Sequence, residues 1–288
     1  MQVWRGAILV LLSLALLSCA GISTLINQDQ DIETPPEEPT SMPLTSQEPT
    51  SSSWWRPSHG LTWQWQLTGD LDLTVDAQVY DIDLYESREN IQALHDLGRK
   101  LICYISVGSW EDWRPDADQF PPEVLGRDYE GWPGEKWLDI RRIDLLAPIM
   151  RARLDLCAAK GFDAVEPDNI DIHTNRTGFP LTYADQLAYA RWLAKEAHQH
   201  GLAIGLKNAP DQVKDLVDLY DFAITEDCFY YDWCDQMSPF IQADKPVFAA
   251  EYTDLDGDFE AYCRRSQALG FSTILKNRDL DEFREVCP

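Results

Sequence analysis

The sequence predicts a single (β/α)8 TIM barrel, and three observations lead there. After residue 75, short apolar or β-branched runs alternate with helical-period segments, the pattern of parallel strands joined by helices. Eight such strand-like runs can be counted, the number a closed barrel needs. Nearly every run ends in a charged or hydrogen-bonding residue, and barrel chemistry sits at the C-terminal ends of strands. The alternative is a doubly wound open sheet. No Gly-rich phosphate loop follows the first strand, which counts against it.

The strands fall at 79–83, 101–108, 137–140, 162–166, 203–207, 222–226, 247–251 and 273–276. Amphipathic stretches lie between them at 87–97, 145–160, 183–200, 212–219, 239–243 and 258–269. Gly98, Gly161, Gly201 and Gly270 follow four of these, where glycine stops a helix. A Pro- and Gly-rich loop at 120–136 precedes the third strand and has room for only a short helix. The strand ends carry Asp81 and Asp83, Tyr104 and Ser106, Asp139, Glu166 and Asp168, Lys207 and Asn208, Glu226, Glu251 and Tyr252, and Lys276 and Asn277. Any one of these alone reads as an ion pair; together they read as a site.

The densest cluster is Glu166-Pro167-Asp168-Asn169-Ile170-Asp171. Acids are costly to bury unless paired or hydrogen-bonded, so a strand ending in several points to a site. On an extended strand Glu166 and Asp168 face the same way, about 7 Å apart. That spacing suits a carboxylate pair acting on sugars. Trp54, Trp55, Trp110, Trp113, Trp132 and Trp137 add rings able to stack on sugar faces. Trp63 and Trp65 read as core, and Trp132, inside Gly-Trp-Pro-Gly-Glu, reads as a cleft wall.

The N-terminus reads as an export signal over 1–18: a short basic start, then an apolar run too short to span a bilayer. It ends Leu-Leu-Ser-Cys, which resembles a bacterial lipobox with Cys19 as the lipidated residue; an ordinary signal peptide is the alternative. Ala20 follows it and no Asp is there, which implies the outer membrane where the cell has one, or otherwise the cell surface. Residues 19–53, rich in Ser, Thr, Pro and Glu, read as a disordered tether, leaving 54–288 as the catalytic domain. The net charge of -25 speaks against nucleic acid and anionic membrane surfaces and favours cationic partners. The membrane is expected to be reached only through the lipid, and a monomer is expected. Six further cysteines suggest disulfides in an exported chain, but sequence alone selects no connectivity. Cys228 with Cys234 closes a small loop, Cys263 with Cys287 clasps the C-terminus, and Cys103 and Cys157 remain. No Cys/His spacing suggests a metal.

One ordered series of motifs carries a family resemblance. It runs Trp63-Gln-Trp-Gln-Leu67, Tyr80-Asp-Ile-Asp83, Cys103-Tyr-Ile-Ser-Val-Gly108, Trp113-Arg-Pro-Asp116, Gly131-Trp-Pro-Gly-Glu135, Val165-Glu-Pro-Asp-Asn169, Gly205-Leu-Lys-Asn208 and Glu226-Asp-Cys228. Together these resemble the endo-alpha-1,4-polygalactosaminidases, glycoside hydrolase family 114. The resemblance implies a TIM barrel that cuts galactosamine polymers internally, with no cofactor and no metal. It implies Asp168 as nucleophile, ionised, and Glu226 as general acid/base, protonated at rest. That redirects the local reading: carboxyls on two strands flank a scissile bond better than two on one strand. Glu166 then becomes a supporting or amine-binding carboxylate. Asp81, Asp83 and Glu251 are expected to bind substrate ammonium groups, with Tyr104, Trp132, Asn169, Lys207, Asn208, Tyr252 and Lys276 completing the substrate site. The alternatives are a non-catalytic polysaccharide-binding lipoprotein, and a barrel hydrolase or deacetylase for another amino sugar.

Overall fold

The computed structural model describes residues 53–288; Cys19, the export signal and nearly all of the tether lie outside them. Eight parallel strands form one curled sheet: β1 (Trp63–Gln66), β2 (Val79–Asp83), β3 (Lys100–Ser106), β7 (Ala164–Asp168), β8 (Ala203–Lys207), β9 (Phe222–Glu226), β10 (Val247–Tyr252) and β11 (Ser272–Lys276). Between β3 and β7 the chain makes a small antiparallel sheet from β4 (Ser109–Glu111), β5 (Leu125–Asp128) and β6 (Glu135–Leu138). A short β12 (Glu285–Val286) pairs antiparallel with β11 at the sheet edge. Side chains draw β1 and β11 together: Trp63 Nε1 donates to the Ser272 carbonyl at 2.9 Å, and Lys276 Nζ to Gln64 Oε1 at 3.3 Å.

The count of eight barrel strands stands, but one member changes. The run predicted at 137–140 overlaps the end of β6 in the side sheet, and the barrel strand is β1, whose Trp63 and Trp65 were expected as core. Both tryptophans are buried, and so are Gln64 and Gln66 on the opposite face, so this short apolar/polar alternation does not mark a half-exposed strand. The predicted strand 162–166 is β7, shifted two residues, so Asp168 is its last residue rather than part of the following turn. The 120–136 loop contains β5 rather than only a short helix.

Helices α1 (Arg88–Asp96), α2 (Ile143–Lys160), α3 (Tyr183–Gln199), α4 (Val213–Leu216), α5 (Ser238–Gln242) and α6 (Phe259–Leu269) link strands. Their starts are written in the sequence. Ser87 and Asp258 accept from backbone amides of α1 and α6, and Thr182 forms a reciprocal capping box with Asp185 at α3. The four helix-stop glycines all have positive φ. Gly108 has a different reason: a Cβ there would sit 1.7 Å from the Asn169 carbonyl oxygen, so the loop after β7 packs directly on it.

The six cysteines pair as Cys103–Cys157, Cys228–Cys234 and Cys263–Cys287. The first ties β3 to α2 and the last ties α6 to the C-terminal segment, as suits an oxidising compartment. Among the described residues no helix is long and apolar enough to cross a membrane.

Candidate active site

Three strand ends converge on one lysine. Asp168 ends β7, Lys207 ends β8 and Glu226 ends β9. Each is followed at once by a left-handed residue: Asn169 (φ 62°), Asn208 (φ 50°) and Asp227 (φ 52°). Asn and Asp tolerate that conformation best among residues with a Cβ, so the chain leaves the sheet directly after each charged side chain.

Lys207 is only 1 % exposed. Its Nζ donates to Glu166 Oε1 at 2.8 Å and Asp168 Oδ1 at 2.8 Å, and lies 3.1 Å from Glu226 Oε2. The ammonium also sits 4.6 Å from the centre of the Trp65 ring. Burial alone would push this lysine toward neutrality. The charges of Asp168, Glu166 and Glu226 outweigh it and hold the ammonium well above its ordinary range. Because one atom touches both, the nearest oxygens of Asp168 and Glu226 lie no more than about 5.9 Å apart.

The second oxygen of each carboxylate has a tyrosine. Tyr104 donates to Asp168 Oδ2 at 2.9 Å, and Tyr252 to Glu226 Oε1 at 2.5 Å. Burial, then the adjacent carboxylates, push both phenols well above their usual range, so they remain donors. Asn208 accepts from the Glu226 amide at 3.0 Å and its Nδ2 lies 3.4 Å from Glu226 Oε2. Asn169 does not reach this centre. Its amide donates to Ser106 and Ser109 at 3.1 Å and braces the loop after β7.

Beneath Asp168 lies a second acid pair. Glu166 and Asp81 are fully buried. Neither Asp81 oxygen nor Glu166 Oε2 has a partner if both are ionised. Burial, then Glu166, push Asp81 well up, and burial pushes Glu166 to about 7 against the pull of Lys207. A proton held on Asp81 and donated to Glu166 satisfies both groups. This pair is sealed from solvent, so it supports Lys207 from below.

Other predicted residues do not touch Lys207 and are held by partners of their own. Asp83 is taken up by Arg114 at 2.6 Å, which also forks onto Glu111. Glu251 accepts the Phe229 and Tyr230 amides at 2.9 and 3.1 Å, and burial pushes it to about 7. It lies beside Cys228 and Cys234, but those sulfurs are joined to each other and offer no thiolate to a metal. Lys276 is buried at the β1–β11 seam, donating to the Asp281 and Phe283 carbonyls. Trp132 is exposed and tilts toward Tyr129, with ring centres 6.4 Å apart.

Three further residues lie at the site: Asp171 and Glu135 fell within motifs read from the sequence but were given no role, and Tyr129 was not singled out. Asp171 is pushed to about 6 by burial and then by Asp168. Glu135 accepts from Ser109 at 2.5 Å and is pushed to about 7, by burial first. Tyr129 is raised by burial and by the charges of Asp168, Asp171, Glu226 and Glu135, and so lies within their common field. The side sheet brings Tyr129 and Glu135 here, and sheet insertions leave no periodic signal in the flanking barrel strands.

Comparison with known proteins agrees with this architecture. A family model described as glycoside-hydrolase family GH114 matches residues 44–288. The crystal structure of Aspergillus fumigatus Ega3 in complex with galactosamine is 40 % identical, with a TM-score of 0.77, covering 82 % of this chain and 98 % of that one. The glycoside hydrolase domain of PelA from Pseudomonas aeruginosa shares the fold at 14 % identity and a TM-score of 0.61, covering 78 % of this chain and 98 % of that one. An uncharacterized protein of Deinococcus radiodurans is 26 % identical over 206 residues, 64 % of this chain, and the match spans 66 % of that protein's length. On the family match and the Ega3 likeness, the chain belongs to glycoside-hydrolase family GH114.

Proposed function

We propose that this enzyme cleaves internal α-1,4 bonds of a galactosamine-rich polysaccharide, with Asp168 as nucleophile and Glu226 as general acid/base. The observation that carries this reading is the lysine-centred cluster, in which two carboxylates from different strands come within about 5.9 Å of each other. Retaining glycosidases hold their carboxyls about 5–5.5 Å apart and inverting ones about 6.5–9.5 Å, so the spacing supports retention. Asp168 attacks the anomeric carbon as Glu226 protonates the departing oxygen. Glu226 then takes a proton from water, whose oxygen displaces Asp168 and restores both groups. Lys207, Tyr104 and Tyr252 hold the two carboxylates throughout.

The substrate assignment rests on the acidic rim and on the likeness to Ega3, whose structure contains galactosamine. Asp168 and Asp171 place negative charge near Tyr129, suited to a sugar ammonium. The three disulfides support export, and Cys19 is read as a lipid anchor holding a monomeric domain at the outer membrane or cell surface. Purified residues 54–288, incubated with partially de-acetylated α-1,4-galactosamine oligomers and followed by product sizing, test the reading. Shortened internal products are expected, with Asp168→Asn and Glu226→Gln slower on the order of 10⁴-fold. Full activity in either variant would overturn the assignment.

A further inference from the structure

The two carboxylates of the site are each held by a tyrosine, and each tyrosine has an arginine near its ring, but the two pairs are not alike. The Arg114 guanidinium lies 5.9 Å from the centre of the Tyr104 ring, at the outer limit of a cation–π contact, and its fork is taken up by Glu111. The Arg278 guanidinium lies over the Tyr252 ring, 3.8 Å from its centre. The closer cation therefore serves the tyrosine that holds Glu226.

Arg278 belongs to the loop after β11, and that loop is fixed on both sides. The Thr253 amide donates to the Lys276 carbonyl at 3.0 Å, the Thr253 hydroxyl to Asn277 Oδ1 at 2.9 Å, and the Leu67 amide to the Leu280 carbonyl at 2.9 Å. The guanidinium in turn engages the loops after two other strands. Its Nε and Nη2 fork onto Asp254, after β10, at 3.0 and 2.9 Å. Its Nη1 donates to Asp227, after β9, at 2.9 Å. A planar fork held by two carboxylates has little freedom to leave the ring.

A cation beside a phenol favours negative charge on its oxygen, so the hydroxyl becomes a stronger donor. Burial and then Glu226 raise the Tyr252 phenol, while Lys207 and Arg278 pull the other way. Tyr252 is only 3 % exposed and its hydroxyl lies 2.5 Å from Glu226 Oε1, so the change reaches the carboxylate directly.

We propose that Arg278 is a positioning residue for hydrolysis: held over Tyr252, its charge strengthens the hydrogen bond by which Tyr252 orients Glu226. This rests on the reading of Glu226 as general acid/base. It extends the machinery to a residue whose own ion pairs are with Asp227 and Asp254, not with Asp168 or Glu226.

Two substitutions separate charge from clasp. Arg278→Gln keeps an amide donor for Asp227 and loses the charge; Arg278→Lys keeps the charge and loses the fork. On one galactosamine oligomer, Arg278→Gln is expected to lower kcat about tenfold with KM within about twofold of wild type, and Arg278→Lys to retain at least about a third of wild-type kcat. In a Tyr252→Phe background the hydroxyl is already gone, so adding Arg278→Gln is expected to cost less than about twofold more. Asp254→Asn, which loosens the guanidinium but leaves its charge, is expected to cost about threefold in kcat, again only while the Tyr252 hydroxyl is present. If Arg278→Gln does not fold, the Asp254→Asn cycle decides by the same rule. Wild-type kcat in Arg278→Gln, equal losses in the Gln and Lys variants, or losses that multiply in full with that of Tyr252→Phe would overturn the proposal. Full activity in Glu226→Gln would instead count against the catalytic reading itself.

Discussion

The tripeptide Leu-Lys-Asn occurs twice, at 206–208 and 275–277, and each time the lysine ends a barrel strand. Both lysines are essentially inaccessible to solvent. Their surroundings are opposite. Lys207 faces three carboxylates, which hold its proton firmly despite burial. Lys276 faces neutral acceptors, Gln64 and two carbonyls, and burial brings it down to about 8. The backbone differs as well: Asn208 is left-handed, and Asn277 is not. A charged residue at a strand end is therefore not by itself a site residue. What distinguishes the site is the acids that neighbouring strands bring to the same point.

The largest effect expected from this contrast is on activity. Lys207→Met is predicted to slow hydrolysis on the order of 10³-fold, because the field that fixes both carboxylates is lost, whereas Lys276→Met stays within about threefold of wild type. Initial rates on one oligomer check both. Equal losses would erase the distinction between the two lysines. Tyr252→Phe removes a single donor from Glu226 and is predicted to cost about 10- to 100-fold in kcat, with folding unchanged.

Stability follows the same contrast. Lys207→Met leaves Glu166 buried without its cation, which costs about 3–5 kcal/mol if the acid stays ionised. Lys276→Met leaves two carbonyls and an amide oxygen without their donor, a loss of about 1–3 kcal/mol. Urea denaturation of the two variants ranks them, and a larger loss at Lys276 would contradict the account.

The smallest expected effects are in pH dependence. Lys276 falls from 10.5 in the unfolded chain to about 8 when folded. Between those values the unfolded chain binds the extra proton, so stability rises with pH across that window, and Lys276→Met should flatten the rise. Asp81 has the reverse sign. Its folded value is raised well above 3.8, so its contribution is complete below that pH and fades as pH climbs through the folded value. Asp81→Asn supplies a permanent donor to Glu166 and should reduce that decline.

Much of this was legible in the sequence because caps, helix-stop glycines and strand-end charges are local. Ser87, Thr182 and Asp258 mark helix starts by forces acting within one turn. The first barrel strand was missed because Trp63–Gln66 is only four residues long and lies before residue 75, where the regular strand-helix alternation begins. Asp83 and Glu251 were expected at the substrate. Their actual partners, Arg114 and the amides of Phe229 and Tyr230, come from separate loops that no spacing rule connects. The cluster itself had one local signal, the Asn or Asp directly after Asp168, Lys207 and Glu226, where the backbone turns left-handed. The same signal at Asn277 would have misled.

The most direct test of the central assignment is covalent. A fluorinated galactosaminide that forms its glycosyl-enzyme quickly and releases it slowly is turned over, and the labelled peptide is identified by mass spectrometry. The account predicts one adduct, on Asp168, formed more slowly in Glu226→Gln. An adduct on Glu166 or Glu226 would contradict it.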